Sequence, residues 1–395
     1  MIKAVFAVAV LAAGGLAAQE PRDTLVRLSS LTVPDSVPLT FVEQLVPGAD
    51  GSVFLLDAQT DGVLVFGPDG VFRRQIGRWG EGPGELLSPW RLGLLGPDTL
   101  WVVDARRSRV NLYDVSTGES LADFGPATWE AAAGGGERLR PFAVLADHRV
   151  VAIRRTEGDA AADVLAFDVM GRWTDPAGVS LSTLDLRDRL LVVPVPAGGG
   201  GLQLRNPFSH SDMLAIDPSG RHVAVIRRLE PAGPGAFFTV ERRSVLEGGT
   251  ESIRVPYTLR PLSTRDVRAW AEALGPLERM VELGVFPSRA AGVSAVLDTL
   301  DAPDYYPPVR NRGRGIVDEG VLIDSGAAMW FQSADPDRGA NDWIVVSGEG
   351  DVVSRMAVPD HARLLAAQDD LVWIEARDGF GVPTVHLFQV RPSGP

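Results

Sequence analysis

Residues 76–86 read IGRWGEGPGEL, four glycines and one proline directly after the strand-like run Val71–Ile76. A glycine-rich segment after a strand either cradles a phosphate at the start of a helix or turns the chain into another strand. A dinucleotide fingerprint needs a G-x-G-x-x-G order that opens a helix. Here Gly80, Gly82 and Gly84 alternate, Pro89 stops any helix begun at Leu86, and an apolar strand-like run follows. The lysine-bearing type of phosphate loop is excluded as well, because Lys3 is the only lysine in the chain. The segment therefore reads as a crossing between strands, with glycines free to take positive φ.

Outward from this turn the chain repeats itself. DGSVFLLDAQTDGVLVFGPDGVFRRQIG begins at Asp50, and PDTLWVVDARRSRVNLYDVSTGESLADFG begins at Pro97. Each is a short apolar strand ending in aspartate (Asp57, Asp104), a polar turn, a second strand, a glycine turn and a third strand. Weaker copies follow at DHRVVAIRR, DPSGRHVAVIRR, GAAMWFQSA and DDLVWIEARDG, and each unit carries an apolar strand upstream, such as Phe41–Val46 or Phe142–Leu145. Four short strands per unit, at spacings of roughly 47 to 50 residues, specify propeller blades. The expected fold is all-β: a six-bladed β-propeller of four-stranded blades, with a short helical insertion between blades four and five.

The glycine loop also carries a resemblance. IGRWGEGPGELLSPWRLGLL followed by LWVVDARRSRVNLYD resembles the NHL-like six-bladed propeller proteins secreted by bacteria, through Gly77, Gly80, Gly82, Pro83, Gly84, Glu85, Pro89, Asp104, Arg109 and Val110. The match runs from about Asp50 to Phe124. It implies the propeller fold and no single activity.

The insertion is LSTRDVRAWAEALGPLERMVELGVFPSRAAGVSAVLDTLDAPDYYPPV, Leu262–Val309. Ser263 opens a capping box, and Val267, Trp270, Ala271 and Leu274 recur at helical spacing, so two or three short helices are expected. The last blade lacks an outer strand at the C-terminal end. The N-terminal run near Leu25–Leu31 is expected to supply it, pairing with Val385–Val390 and removing a free sheet edge.

Residues 1–18 have the pattern of a secretory signal: Lys3, the apolar run Ala4–Ala13, then small residues before the expected cleavage site. Residues 19–395 are then expected to form one propeller domain, secreted or periplasmic. With no cysteine in the chain there is no lipid attachment by a lipidated cysteine and no thiol chemistry, and with no lysine after Lys3 there is no Schiff base. A net charge of −13 argues against nucleic acid and anionic membrane as partners. No membrane span is expected, and the chain is expected to be a monomer.

No local metal motif joins the five histidines, and no G-x-S-x-G elbow is present. Ser209, His210, Ser211 and Asp212 are neighbours that strand alternation would divide between two faces, so they do not form a triad. No catalytic residue, metal ligand or cofactor is assigned. In a propeller the first strand of each blade lines the channel, and basic residues recur near the start of five of them: Arg91, Arg140, His210, Arg312 with Arg314, and His361 with Arg363. Converging guanidiniums offer forked donors to a carboxylate or phosphate. The expected function is a non-catalytic propeller binding a small anionic ligand, or an envelope or extracellular protein, on one face. Two alternatives stay open: a lactonase-like hydrolase or lyase using a divalent metal in the channel, and a TolB-like envelope interaction module.

Overall fold

The computed structural model describes residues 22–34, 36–37, 39–125, 139–155, 161–168, 179–187, 189–196, 201–228, 235–310, 320–324, 326–334, 341–359 and 361–392. Six four-stranded antiparallel sheets follow one another along the chain, each a blade. Their inner strands are Val42–Pro47, Pro89–Leu95, Arg140–Val144, Met213–Ile216, Val321–Ile323 and Arg363–Gln368. This is the six-bladed propeller that the repeats specify.

The burial pattern explains why those repeats were legible. The second and third strands of blade one, Val53–Asp57 and Val63–Phe66, are buried at every position, because neighbouring blades cover both faces. They must therefore read as unbroken apolar runs. Outer strands alternate instead: in Phe72–Ile76 every second residue meets water. The core is a ring of layers between blades. Phe54, Leu56, Leu92 and Leu100 fill the layer between blades one and two, and Phe238, Val240, Val321 and Phe331 the one between four and five.

Closure occurs as expected. Thr24–Ser30 forms the outer strand of blade six, with Leu25 opposite Val390 and Ser30 opposite His386. The same segment ties down both neighbours. Asp23 N–H donates to the Arg355 carbonyl of blade five (2.7 Å), and Thr32 N–H to the Gly70 carbonyl of blade one (2.8 Å). The signal-like residues 1–18 lie outside the described residues.

His386 gives this closure a pH dependence. Its Nδ1 lies 2.7 Å from the Ser30 hydroxyl of the closing strand. Burial, reinforced by the charge of Arg27, holds its imidazole below the ordinary 6.5. A base whose folded pKa is depressed contributes stability that is complete above its unfolded pKa and is lost as pH falls. Hydrogen exchange in Thr24–Ser30, corrected for intrinsic rates, should therefore accelerate as pH drops below about 6.5. His386→Gln should flatten that dependence. Equal protection at neutral and mildly acidic pH in the natural chain would remove His386 from the account.

Three helices, α1 (Thr264–Glu272), α2 (Gly275–Glu282) and α3 (Arg289–Thr299), lie between blades four and five. The capping box is present, with Ser263 and Asp266 each accepting from the other's backbone N–H. The sequence reading missed a companion: a hairpin of Leu190–Pro194 and Gly201–Arg205, between blades three and four. Leu191, Val193 and Leu204 pack against Ala271, Leu277, Phe286, Val293 and Val296, forming a small core apart from the ring. Each fully buried apolar side chain there is worth about 1.5–3 kcal/mol, enough to hold hairpin and helices together as one cap.

Candidate functional site

Inner strands all begin at one end of the ring, here called the entry face. The connections from each outer strand to the next inner strand lie at that end, so hairpin and helices both rise from it. At the far end the ring is bridged. Leu94 N–H of blade two donates to the Pro218 carbonyl of blade four (3.0 Å), skipping blade three. A Cβ on Gly93 would stand 2.7 Å from that carbonyl oxygen and 2.4 Å from the Trp101 ring, which is why the inner strand carries a glycine there.

Carboxylates at the ends of second strands organise this face. Asp57 accepts Thr40 N–H and Phe41 N–H, both at 2.8 Å, together with the Thr40 hydroxyl at 2.7 Å. Asp104 does the same for Leu87 N–H (2.7 Å) and Ser88 N–H (3.3 Å). Each pins the chain as it enters the inner strand. Blade four uses the residue before its inner strand instead: Asp212 accepts Asp185 N–H (2.9 Å) and pairs with Arg227, while burial pushes its carboxyl up.

The glycine loop is held from within. Glu85 accepts Gly82 N–H (2.9 Å) and pairs with Arg78 (2.9 Å). Arg109 donates to the Gly82 and Glu85 carbonyls, and Tyr113 to the Gly84 carbonyl (3.0 Å). Gly80, at φ +151°, leaves room for the Glu85 carboxylate, whose oxygen would lie 2.0 Å from an added Cβ. These internal bonds make the loop a structural crossing.

The basic residues expected at the channel mouth fare differently. Arg363 lies at the entry of blade six, donating from Nη2 (2.6 Å) and Nε (3.2 Å) to one oxygen of Glu375, whose other oxygen pairs with Arg377 (2.8 Å), and donating to the Val42 carbonyl. Its charge is compensated. His210 lies three residues before the inner strand of blade four, in a segment that is not a strand. Its Nδ1 is 2.7 Å from the Arg228 carbonyl and its Nε2 3.2 Å from the Tyr305 carbonyl. It links blade four to the base of the cap. His361 is an exposed turn residue at φ 64°. Arg312 and Arg314 lie outside the described residues.

Arg91 and Arg140, on adjacent inner strands of blades two and three, remain. Arg140 is exposed, and no ion pair joins it to the described residues. Arg91 is half-buried, its guanidinium 4.1 Å from the Phe142 ring centroid and 5.8 Å from that of Trp90. Among the described residues no hydrogen bond or carboxylate reaches it, and its Nε is sealed from water. Burial pulls its pKa down to about 10. The missed signal was a β-bulge. Registers slip at Glu43, Trp90, Phe142 and Leu365, each at the entry of an inner strand. Such a bulge re-aims the side chains around it, and here it brings Trp90 edge-on to Phe142 at 6.0 Å, beside Arg91.

Among the described residues no group of three or more His, Asp or Glu is placed to hold a metal ion, and no helix is long and apolar enough to cross a membrane.

Residues 26–123 match a family model described as a 6-bladed β-propeller. That stretch runs from the closing strand through blade two of the propeller. No curated protein matches the chain. Among solved structures the propeller is similar to a Bacteroides fragilis protein at 11% identity and TM-score 0.47, covering 94% of this chain and 95% of that one. It is similar to virginiamycin B lyase from Staphylococcus aureus at 8% identity and TM-score 0.41, covering 94% and 99%. It is also similar to regucalcin, a calcium-binding protein from Agrobacterium tumefaciens, at 11% identity and TM-score 0.34, covering 93% and 96%.

Proposed function

We propose that the chain is an exported, non-catalytic propeller whose entry face takes a small anion at the channel mouth, held by Arg91 and Arg140. The observation that carries this reading is Arg91: a guanidinium packed between aromatic rings, with no carboxylate partner among the described residues. An uncompensated buried cation is costly unless something anionic arrives to pair with it. In this reading residues 1–18 are cleaved on export, residues 19–395 fold as a monomeric propeller domain, and Arg312 and Arg314 complete the mouth from the connection that enters blade five.

Calorimetric titration with small carboxylates and inorganic phosphate tests the site. Arg91→Gln and Arg140→Gln should each weaken binding by about tenfold or more, the scale of one charged hydrogen bond. Binding to the natural chain should fall as salt rises, since exposed charges are screened over about 10 Å at 0.1 M. Arg363→Ala should act on stability instead, because it removes one of the two guanidiniums, Arg363 and Arg377, that pair with the Glu375 carboxylate, whose side chain is 4% exposed. Affinity that ignores both Arg91 and Arg140 would remove the channel mouth from the function. Fractionation of cells expressing the chain with and without residues 1–18 tests export, and retention of both forms in the cytoplasm would end that part of the reading.

A further inference from the structure

The inner strands of blades one and two repeat one local device. Val42 stands opposite Asp57 and Gln44 opposite Leu56, with Glu43 bulged between them. Pro89 stands opposite Asp104 and Arg91 opposite Val103, with Trp90 bulged between them. Gln44 therefore holds in blade one the position that Arg91 holds in blade two. Both side chains lean toward the next blade. Gln44 Oε1 accepts the Leu92 N–H of blade two at 2.9 Å, and the Arg91 guanidinium lies 4.1 Å from the Phe142 ring centroid of blade three. The residue just after the bulge is Ala143 in blade three and Ala366 in blade six. Among these four bulged strands, then, the polar side chains at this position are an amide and a guanidinium on adjacent blades.

The bond to Leu92 fixes the orientation of the Gln44 amide. A backbone N–H only donates, so the atom it meets is the amide oxygen, and the NH2 group is turned the other way. That group brings two donors and no acceptor. Gln44 is half-buried, and among the described residues nothing accepts from its Nε2. Its amide is held against the peptide that follows Arg91, the guanidinium without a carboxylate partner among the described residues. A guanidinium answers a carboxylate, and a fixed NH2 group answers a second oxygen that accepts. We infer that the channel mouth selects a short carboxylic acid carrying a second acceptor oxygen, of the oxo-acid class, with its carboxylate at Arg91 and its oxo group at Gln44 Nε2. This rests on the channel-mouth reading and deepens it. Arg91 supplies the attraction for an anion, and Gln44 supplies the discrimination between an acid and the same acid without its oxo group.

The test titrates the protein calorimetrically with two oxo acids, pyruvate and levulinate, each beside the same acid without its oxo group, propionate and pentanoate, and with inorganic phosphate. The two pairs differ in the distance from carboxylate to oxo group. At least one oxo acid should bind about threefold to tenfold more tightly than its counterpart, the scale of one net hydrogen bond. Gln44→Met should erase that preference and leave the affinity of the counterpart unchanged. Gln44→Glu keeps an oxygen for the Leu92 N–H but turns a negative charge toward the ligand, so it should abolish binding of both acids at an unchanged melting temperature. That variant keeps the test intact if Gln44→Met folds poorly. Equal affinities within both pairs, a preference that survives Gln44→Met, or unchanged binding in Gln44→Glu overturns the inference. Each of these results spares the channel mouth so long as binding is still weakened in Arg91→Gln. Phosphate binding through Arg91 with no acid bound also overturns the inference alone. Binding unaffected by both Arg91→Gln and Arg140→Gln, or no binding of any of these anions, overturns the channel-mouth reading and this inference with it.

Discussion

Removing residues 19–33 should lower the melting temperature by roughly 4–6 °C and leave a chain prone to aggregate. Thr24–Ser30 pairs along Pro383–Arg391 and is the outer strand of blade six. Leu25 packs on the layer between blades five and six, and Leu31 and Val33 on the layer between six and one. The flanking residues add ties to both neighbours: Arg22 pairs with Asp342 of blade five at 2.6 Å, and Phe72 N–H of blade one donates to the Thr32 carbonyl at 3.1 Å. The segment therefore joins three blades. Its half-buried apolar side chains and strand hydrogen bonds together stabilise the ring by about 3–5 kcal/mol. Deletion also bares the edge of Pro383–Arg391, and an unpaired edge recruits other chains. A synthetic peptide of residues 22–33 added to the truncated chain should recover part of the lost stability. An unchanged melting temperature, or a truncated chain with blade six as resistant to proteolysis as before, would contradict the closure account.

What the sequence revealed and what it hid follow from the range of the interactions. Central strands sandwiched between blades must be apolar on both faces, so Val53–Asp57 and Thr99–Asp104 stand out as runs. The aspartates ending them bind backbone amides of the entering chain, which places a carboxylate at a fixed point of each repeat. Ser263 and Asp266 announce a helix because the capping box is local. The bulges were not legible, since a register slip is a property of two strands and leaves no mark on one. That is why Arg91 and Arg363 looked alike: both follow the entry of an inner strand. Strand register alone sets Glu375 directly opposite Arg363 and nothing acidic opposite Arg91, which faces Val103. The hairpin at Leu190–Arg205 escaped for a related reason. Its apolar face is buried by helices some 70 residues later in the chain, beyond any local periodicity.

Arg91→Met should stabilise the protein while weakening anion binding at the channel mouth by tenfold or more, on the scale of about 1.4 kcal/mol. A guanidinium whose pKa burial pulls down from its ordinary value to about 10 carries a desolvation cost of about 3 kcal/mol at neutral pH, at about 1.36 kcal/mol per unit. Water that still reaches this half-buried side chain reduces that cost. Stacking on Phe142 and Trp90 gives back about 0.5–2 kcal/mol, so the free protein carries a net penalty of about 1–2 kcal/mol at this position. Methionine has a flexible apolar stem that fills irregular gaps and packs well against aromatic rings. It removes the penalty without leaving a hole between Trp90 and Phe142. The expected gain is a few degrees of melting temperature, together with loss of salt-dependent anion binding. Arg91→Lys separates charge from shape, since it keeps the cation but loses the planar fork. It should bind more weakly than the natural chain without gaining the stability of the methionine variant. A position that weakens the fold and strengthens binding is the signature of a functional residue. Should Arg91→Met instead destabilise the protein and leave anion affinity untouched, Arg91 would be a packing residue, and the entry face would lose the group on which its ligand depends.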